Sequence, residues 1–97
     1  MVLHLGEETA VPLDRLIMII NASNMTPELA AYVEKCKRER RFSNCRGKIK
    51  CYALVRERGK DRIYASMISS ATLYKRMGDA ITRKSLFEAA VLSTDTE

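Results

Sequence analysis

The sequence predicts a small α+β domain, β-rich, with two hairpins, a central apolar strand, one main helix and short C-terminal helices. Three observations point there. Residues 48–56 and 62–67 each alternate apolar with polar side chains and are joined by a glycine turn, the pattern of a β-hairpin. Thr26-Pro27-Glu28 combines a hydroxyl cap, a proline at the first helical position and an acid in the first turn, which together start a helix. Leu16-Ile17-Met18-Ile19-Ile20 is apolar without interruption, as a strand covered on both faces should be.

The elements follow in order. Val2, Leu3 and Leu5 surround His4, Gly6-Glu7-Glu8 turns the chain, and residues 9–11 resume an extended run, giving a first hairpin. Pro12 has no N–H to donate and marks a strand end or edge. Asp14 and Arg15 connect to the apolar strand, and residues 21–24 form a loop. The main helix carries Leu29, Tyr32, Val33 and Cys36 as its buried stripe. Residues 42–45 begin a strand and Arg46-Gly47-Lys48 makes a turn. In the second hairpin Ile49, Cys51, Ala53 and Val55 share one face, with Lys48, Lys50, Tyr52, Leu54 and Arg56 on the other. Arg58-Gly59-Lys60-Asp61 turns back into a strand that sets Ile63, Ala65 and Met67 against Arg62, Tyr64 and Ser66. Ser69-Ser70 offers an N-cap to a short helix over 73–77 that should stop at Gly78. A further helix is expected from Ser85, with Leu86, Phe87, Ala90 and Val91 on one side, and residues 93–97 should fray.

Ninety-seven residues make one domain with a thin core. No segment has the 18 or so consecutive apolar residues of a membrane span, and the N-terminus lacks a basic leader region, so a cytoplasmic protein is expected. Cys36, Cys45 and Cys51 are an odd set for disulfides and fit reduced, buried or half-buried thiols. With His4 they contain no CxxC or HxxxH unit, so no metal is expected. Basic neighbours of Cys45 leave open a redox-sensing thiol.

The net charge of +5 is unevenly spread. From Lys35 to Arg62 there are twelve Lys or Arg against Glu39, Glu57 and Asp61, a net of +9, while residues 78–97 carry −2. Lys35, Lys37, Arg38, Arg40 and Arg41 crowd the end of the main helix, where the helix dipole accounts for one or two cations but not five. Such a block suits a phosphate backbone, which gives up counterions on binding. A plain solvated face, anionic lipid and an acidic protein are the other readings; lipid is the weakest, because no strongly apolar helix face adjoins the block.

Catalytic chemistry is not legible. His4 is alone in a strand, no P-loop, GxGxxG or GxSxG occurs, and four glycines are few for a phosphate cradle. No enzyme activity, cofactor or small-molecule substrate is expected.

Three segments carry a resemblance: Val2-Leu-His-Leu-Gly-Glu-Glu with Val11-Pro12, the step Leu13-Asp14-Arg15-Leu16-Ile17, and Ile63-Tyr64-Ala-Ser-Met-Ile-Ser-Ser-Ala-Thr-Leu73-Tyr-Lys-Arg76. In this order and spacing, over about residues 2–77, the chain resembles the Rem family of bacterial extracellular-matrix regulators, in its RemB-like branch. The resemblance implies residues 1–78 as a Rem-like regulator domain and 79–97 as a C-terminal extension. It further implies a sequence-selective DNA-binding activator of biofilm-matrix genes, with a compact β-rich α+β fold comparable to a LytTR-type domain and assembly into a closed ring. By position, the family's DNA contacts fall on Arg15 and on the stretch Arg46-Gly47-Lys48-Ile49-Lys50; the adjacent arginine pair of the RemA-like pattern is replaced by Arg46, Lys48 and Lys50 spread around the glycine. Lysine lacks the bidentate fork of arginine.

The expectation is thus a homo-oligomeric regulator binding double-stranded DNA through Arg15, Arg46, Lys48 and Lys50, with Arg56, Arg58, Lys60 and Arg62 as supporting charge. An oligomer would repeat each patch and would cover the two-faced strand at 16–20. The alternative is a structural assembly or scaffold whose basic face meets an acidic partner or RNA, with Tyr52 and Tyr64 as the candidate stacking residues.

Overall fold

The computed structural model describes residues 1–95, with side chains as far as Thr82. Strands β1 (Val2–Gly6) and β2 (Thr9–Pro12) form an antiparallel hairpin. Its two turn residues, Glu7 and Glu8, both take positive φ (50° and 66°), the geometry that matches strand twist in a two-residue hairpin. Gly6 is needed beside them: it lies at φ +96°, and a Cβ there would stand 3.2 Å from Ile68. A 3-10 turn at Leu13–Arg15 leads into β3 (Leu16–Asn21), and α1 (Pro27–Arg38) follows.

The start of α1 is as the sequence predicts, with Thr26 Oγ1 accepting the Leu29 N–H at 3.2 Å. Its end is a Schellman motif built without glycine. Arg40 sits at φ +58°, its N–H reaching the Lys37 carbonyl (3.2 Å) and the Arg41 N–H the Cys36 carbonyl (2.8 Å). Then come β4 (Phe42–Ser43), β5 (Cys51–Glu57), β6 (Lys60–Ser66) and α2 (Ser70–Asp95). The β5–β6 hairpin pairs in register from Cys51↔Ser66 to Glu57↔Lys60 across Arg58 (φ 49°) and Gly59 (φ 79°).

The second sheet has the order β3-β5-β6-β4, antiparallel except for β4 beside β6. On one face Leu3, Leu5 and Val11 of the first hairpin and Leu73 of α2 pack against Ile19, Cys51, Ala53 and Val55. On the other, Val33 and Cys36 of α1 pack against Leu54 and Ile63, with Tyr32, Phe42 and Tyr52 around them. The architecture is therefore α+β, a sheet between α1 and a hairpin-plus-helix layer. Ser66 ties the layers: buried, its hydroxyl donates to the Leu5 carbonyl at 2.8 Å and accepts the Ile68 N–H at 3.1 Å.

Three expectations are corrected. The central place belongs to β5, not to the apolar run at 16–20: β5 lies between β3 and β6 and buries residues on both faces, while β3 is an edge whose Ile17 and Met18 are 49% and 44% exposed. Strand geometry does not extend back to Lys48: residues 44–50 are irregular, because β3 and β6 end at Asn21 and Ser66 and leave 48 and 49 no strand to pair with. Gly47 instead lies so close to Met67 that a Cβ would stand 2.7 Å from its methyl. Finally, the helix expected to stop at Gly78 and resume at Ser85 is one element, α2. Gly78 adopts no left-handed cap, and the good helix formers around it, with no proline, outweigh its cost of about 1 kcal/mol. The Leu86–Phe87–Ala90–Val91 stripe lies beyond the described side chains, and of the tail expected to fray, residues 96 and 97 lie outside the described residues.

Candidate nucleic-acid interface

The cations singled out in the sequence sort into three sets. The first gathers at the tip of the β5–β6 hairpin. Arg15, at the end of the 3-10 turn before β3, joins Arg58 and Lys60 around a depression of about 640 Å³ that Arg41, Arg62, Glu57 and Asp61 also line. The two acids are already engaged. Glu57 accepts the Tyr64 hydroxyl, and burial together with that bond pushes the Tyr64 pKa up to about 12. Asp61 Oδ2 accepts the Tyr32 hydroxyl at 3.1 Å. Its other oxygen is 2.8 Å from Arg56 Nε, an ion pair out of line for a hydrogen bond, so this buried Oδ1 has Coulombic compensation only. Among the described residues, Arg15, Arg58 and Lys60 have no hydrogen-bond or ion-pair partner, and all three are exposed.

The second set is held by the irregular segment 44–50. Glu7, at the tip of the first hairpin, anchors it by accepting the Arg46 N–H with both carboxylate oxygens (3.0 and 3.1 Å). Lys48 and Lys50 then line a concavity of about 400 Å³ together with Asn21, Ser23, Ser69 and Ser70. Ser69 caps α2, accepting the Thr72 N–H at 3.2 Å, so the concavity lined by the two lysines also takes in the positive end of a long helix. Fixed N–H groups, hydroxyls and lysines are the donor set a phosphate takes.

The third set serves the fold. Arg62 donates to Ser43 Oγ (3.0 Å) and to the carbonyls of Arg40 (3.2 Å) and Phe42 (3.4 Å), and lies over the Tyr64 ring. Arg56 pairs with Asp61 and donates to the Gly59 carbonyl at 3.2 Å, bracing the hairpin turn.

The predicted site residues are therefore not brought together in one copy of the chain. Arg15 precedes β3 and the Lys48/Lys50 concavity lies past its far end, so about 17 Å of strand separates them. Of the supporting residues, Arg58 and Lys60 join Arg15, while Arg56 and Arg62 are spent internally. In the sequence Arg41 stands only as part of the helix-end charge. It also lines the first depression, yet it donates to Glu39 (2.8 Å) and to the Asp61 carbonyl. Its pKa is raised and that of Glu39 lowered, in both cases chiefly by their mutual hydrogen bonds. Nothing in the sequence marks Asn21, Ser23 and Ser69 as neighbours of Lys50; only strand pairing reveals it.

Cys36 and Cys51 are buried free thiols and Cys45 is half-buried. Burial raises the Cys51 pKa, the opposite of an activated thiolate. Among the described residues no group of three His, Cys, Asp or Glu is set to hold a metal ion, and no helix is long and apolar enough to cross a membrane. Tyr52 and Tyr64 are half-buried: Tyr52 packs at a tilt against Phe42 (ring centroids 6.2 Å apart), and Tyr64 has its hydroxyl on Glu57 and Arg62 over its ring. A comparison of the chain with protein-family models and with curated proteins finds no match.

Proposed function

We propose that this protein is a DNA-binding transcriptional regulator of extracellular-matrix genes, of the Rem type, acting in the cytoplasm as a homo-oligomer. The observation that carries this reading is the division of charge on the β5–β6 hairpin: both carboxylates are occupied within the fold, while Arg15, Arg58 and Lys60 face solvent unpartnered among the described residues. Free cations over a shallow depression suit a polyanion better than a small substrate that must be enclosed. Lys48 and Lys50 beside the α2 N-terminus give a second phosphate-binding patch. The resemblance of residues 2–77 supplies the class of target. The scaffold reading keeps one supporting observation, the exposed apolar pair Ile17 and Met18, which suits assembly with or without DNA.

Fluorescence anisotropy with a labelled duplex tests the reading. Arg15→Ala and Lys48→Ala are expected to weaken binding several-fold each at matched salt, with melting temperatures unchanged. Binding equal to the parent in both variants would remove the site.

A further inference from the structure

The two basic patches stand at opposite ends of one strip of side chains. β3 runs from beside Arg15 to the corner at Asn21 and carries no charge along its length. α2 runs back alongside it. Ser70 shares the Lys48/Lys50 concavity with Asn21, the Tyr74 hydroxyl donates to the Ile19 carbonyl at 3.4 Å, and Ile81 shares a hollow with Leu13 and Asp14. Between the patches, Ile17, Met18 and Tyr74 are half-exposed. In a regular strand, neighbours such as Ile17 and Met18 point to opposite faces, and one of them would be buried. A bulge between Leu16 and Met18 breaks that alternation, and both are exposed. The irregularity of β3 is what makes the strip apolar.

We propose that this strip lies in the major groove of the DNA: Ile17 and Met18 meet thymine methyl groups, while the patches at its two ends hold phosphates of the two strands. This contact rests on the DNA-binding reading and adds to it the residues that select sequence. Phosphate contacts position a protein without reading bases, so the cations alone select nothing. The separation of the patches decides the groove. About 17 Å of strand lies between them. The minor groove, ~6 Å wide, brings its two backbones too close together for that span. The major groove is ~12 Å wide between its walls, and the phosphates on its rims come within reach of arginine and lysine side chains. The chemistry agrees, because the thymine methyl is the apolar group that base edges present there.

Another strand fits this edge less well. The Tyr74 hydroxyl already meets the Ile19 carbonyl, and the bulge interrupts the ladder at Ile17. The backbone is thus blunted against pairing while the side chains stay open. A second copy laid along the strip would also set cations against cations at both ends. DNA matches the whole pattern, with a negative rim at each end and uncharged base edges between.

Removing the methyl groups from the DNA tests this without touching the protein. Fluorescence anisotropy at matched salt compares an A·T-rich duplex with the same duplex carrying deoxyuridine for every thymine. The parent should bind the deoxyuridine duplex about fourfold more weakly for each methyl it contacts. Ile17→Ala/Met18→Ala, at exposed positions, should bind both duplexes alike, at the parent's affinity for the deoxyuridine form. Its salt slope and circular dichroism should equal the parent's, since no phosphate contact is lost. Equal affinity of the parent for the two duplexes, at a steep salt slope, would overturn the groove contact and leave the DNA reading standing. A double variant that keeps the parental preference would do the same. A double variant whose mass by light scattering falls below the parent's would overturn it too, by giving the strip to a second copy. A parent that binds neither duplex would overturn the groove contact and the DNA reading together.

Discussion

Four cations of one hairpin are put to two uses. Arg56 and Arg62 are engaged by the fold, Arg62 half-buried and Arg56 on the surface, their guanidinium groups reaching Asp61, Ser43 and the carbonyls of 40, 42 and 59. Arg58 and Lys60, on either side of Gly59, have no such acceptors within reach and face solvent beside Arg15. All four look alike in the sequence. What separates them is register: positions facing a neighbouring segment with unpaired carbonyls become structural, and positions at the tip stay available. A basic stretch thus overstates a binding site by the cations its own fold consumes.

Substitutions should split along this line. The largest effect is expected for Arg62→Ala, which unties β4 and the Arg40 turn and should cost about 2–3 kcal/mol of stability, read as a lower urea midpoint. DNA affinity of the fraction still folded should hardly change. Arg58→Ala/Lys60→Ala should do the reverse: about 1–2 kcal/mol of lost DNA affinity with an unchanged midpoint. Arg40→Gly sharpens the contrast from the other side. It relieves a left-handed backbone at the α1 cap and should raise stability by about 1 kcal/mol without touching DNA binding.

The smallest effect is a pH dependence at Tyr64 of the hairpin, whose hydroxyl meets Glu57 near the tip. The folded pKa of Tyr64, about 12, is above its ordinary value of 10.0. Its contribution is therefore complete below pH 10 and lost as pH rises toward 12. The melting-temperature difference between the parent and Tyr64→Phe should shrink across that window; a constant difference would remove the Glu57 bond as its source.

Legibility followed local chemistry. Both hairpins and the start of α1 were readable, because period-two alternation, turn residues and a Thr-Pro-Glu cap are written into consecutive positions. The central strand was not. Leu16 to Ile20 is the most apolar run, yet its first residues lie at an open edge, while β5 hides its central place behind small Cys51 and Ala53 and charged ends. Gly78 misled for a related reason: a helix stop depends on the backbone conformation adopted, which the residue type only permits. For the interface, the sequence showed which residues are basic and the resemblance which of them to carry over. Neither showed that β3 sets Arg15 apart from Lys48 and Lys50, or that Arg56 and Arg62 are occupied.

The central claim, that the unpartnered cations hold a phosphate backbone, is tested most directly by the salt dependence of duplex binding. The slope of log affinity against log salt for the parent should be steep, about −4 or beyond per bound subunit if Arg15, Arg58, Lys60, Lys48 and Lys50 all engage phosphates. It should become shallower by about 0.9 for each of these removed, and stay unchanged in Arg56→Ala. A parental slope near zero, or one that Arg56→Ala lowers as much as Arg58→Ala, would contradict the account.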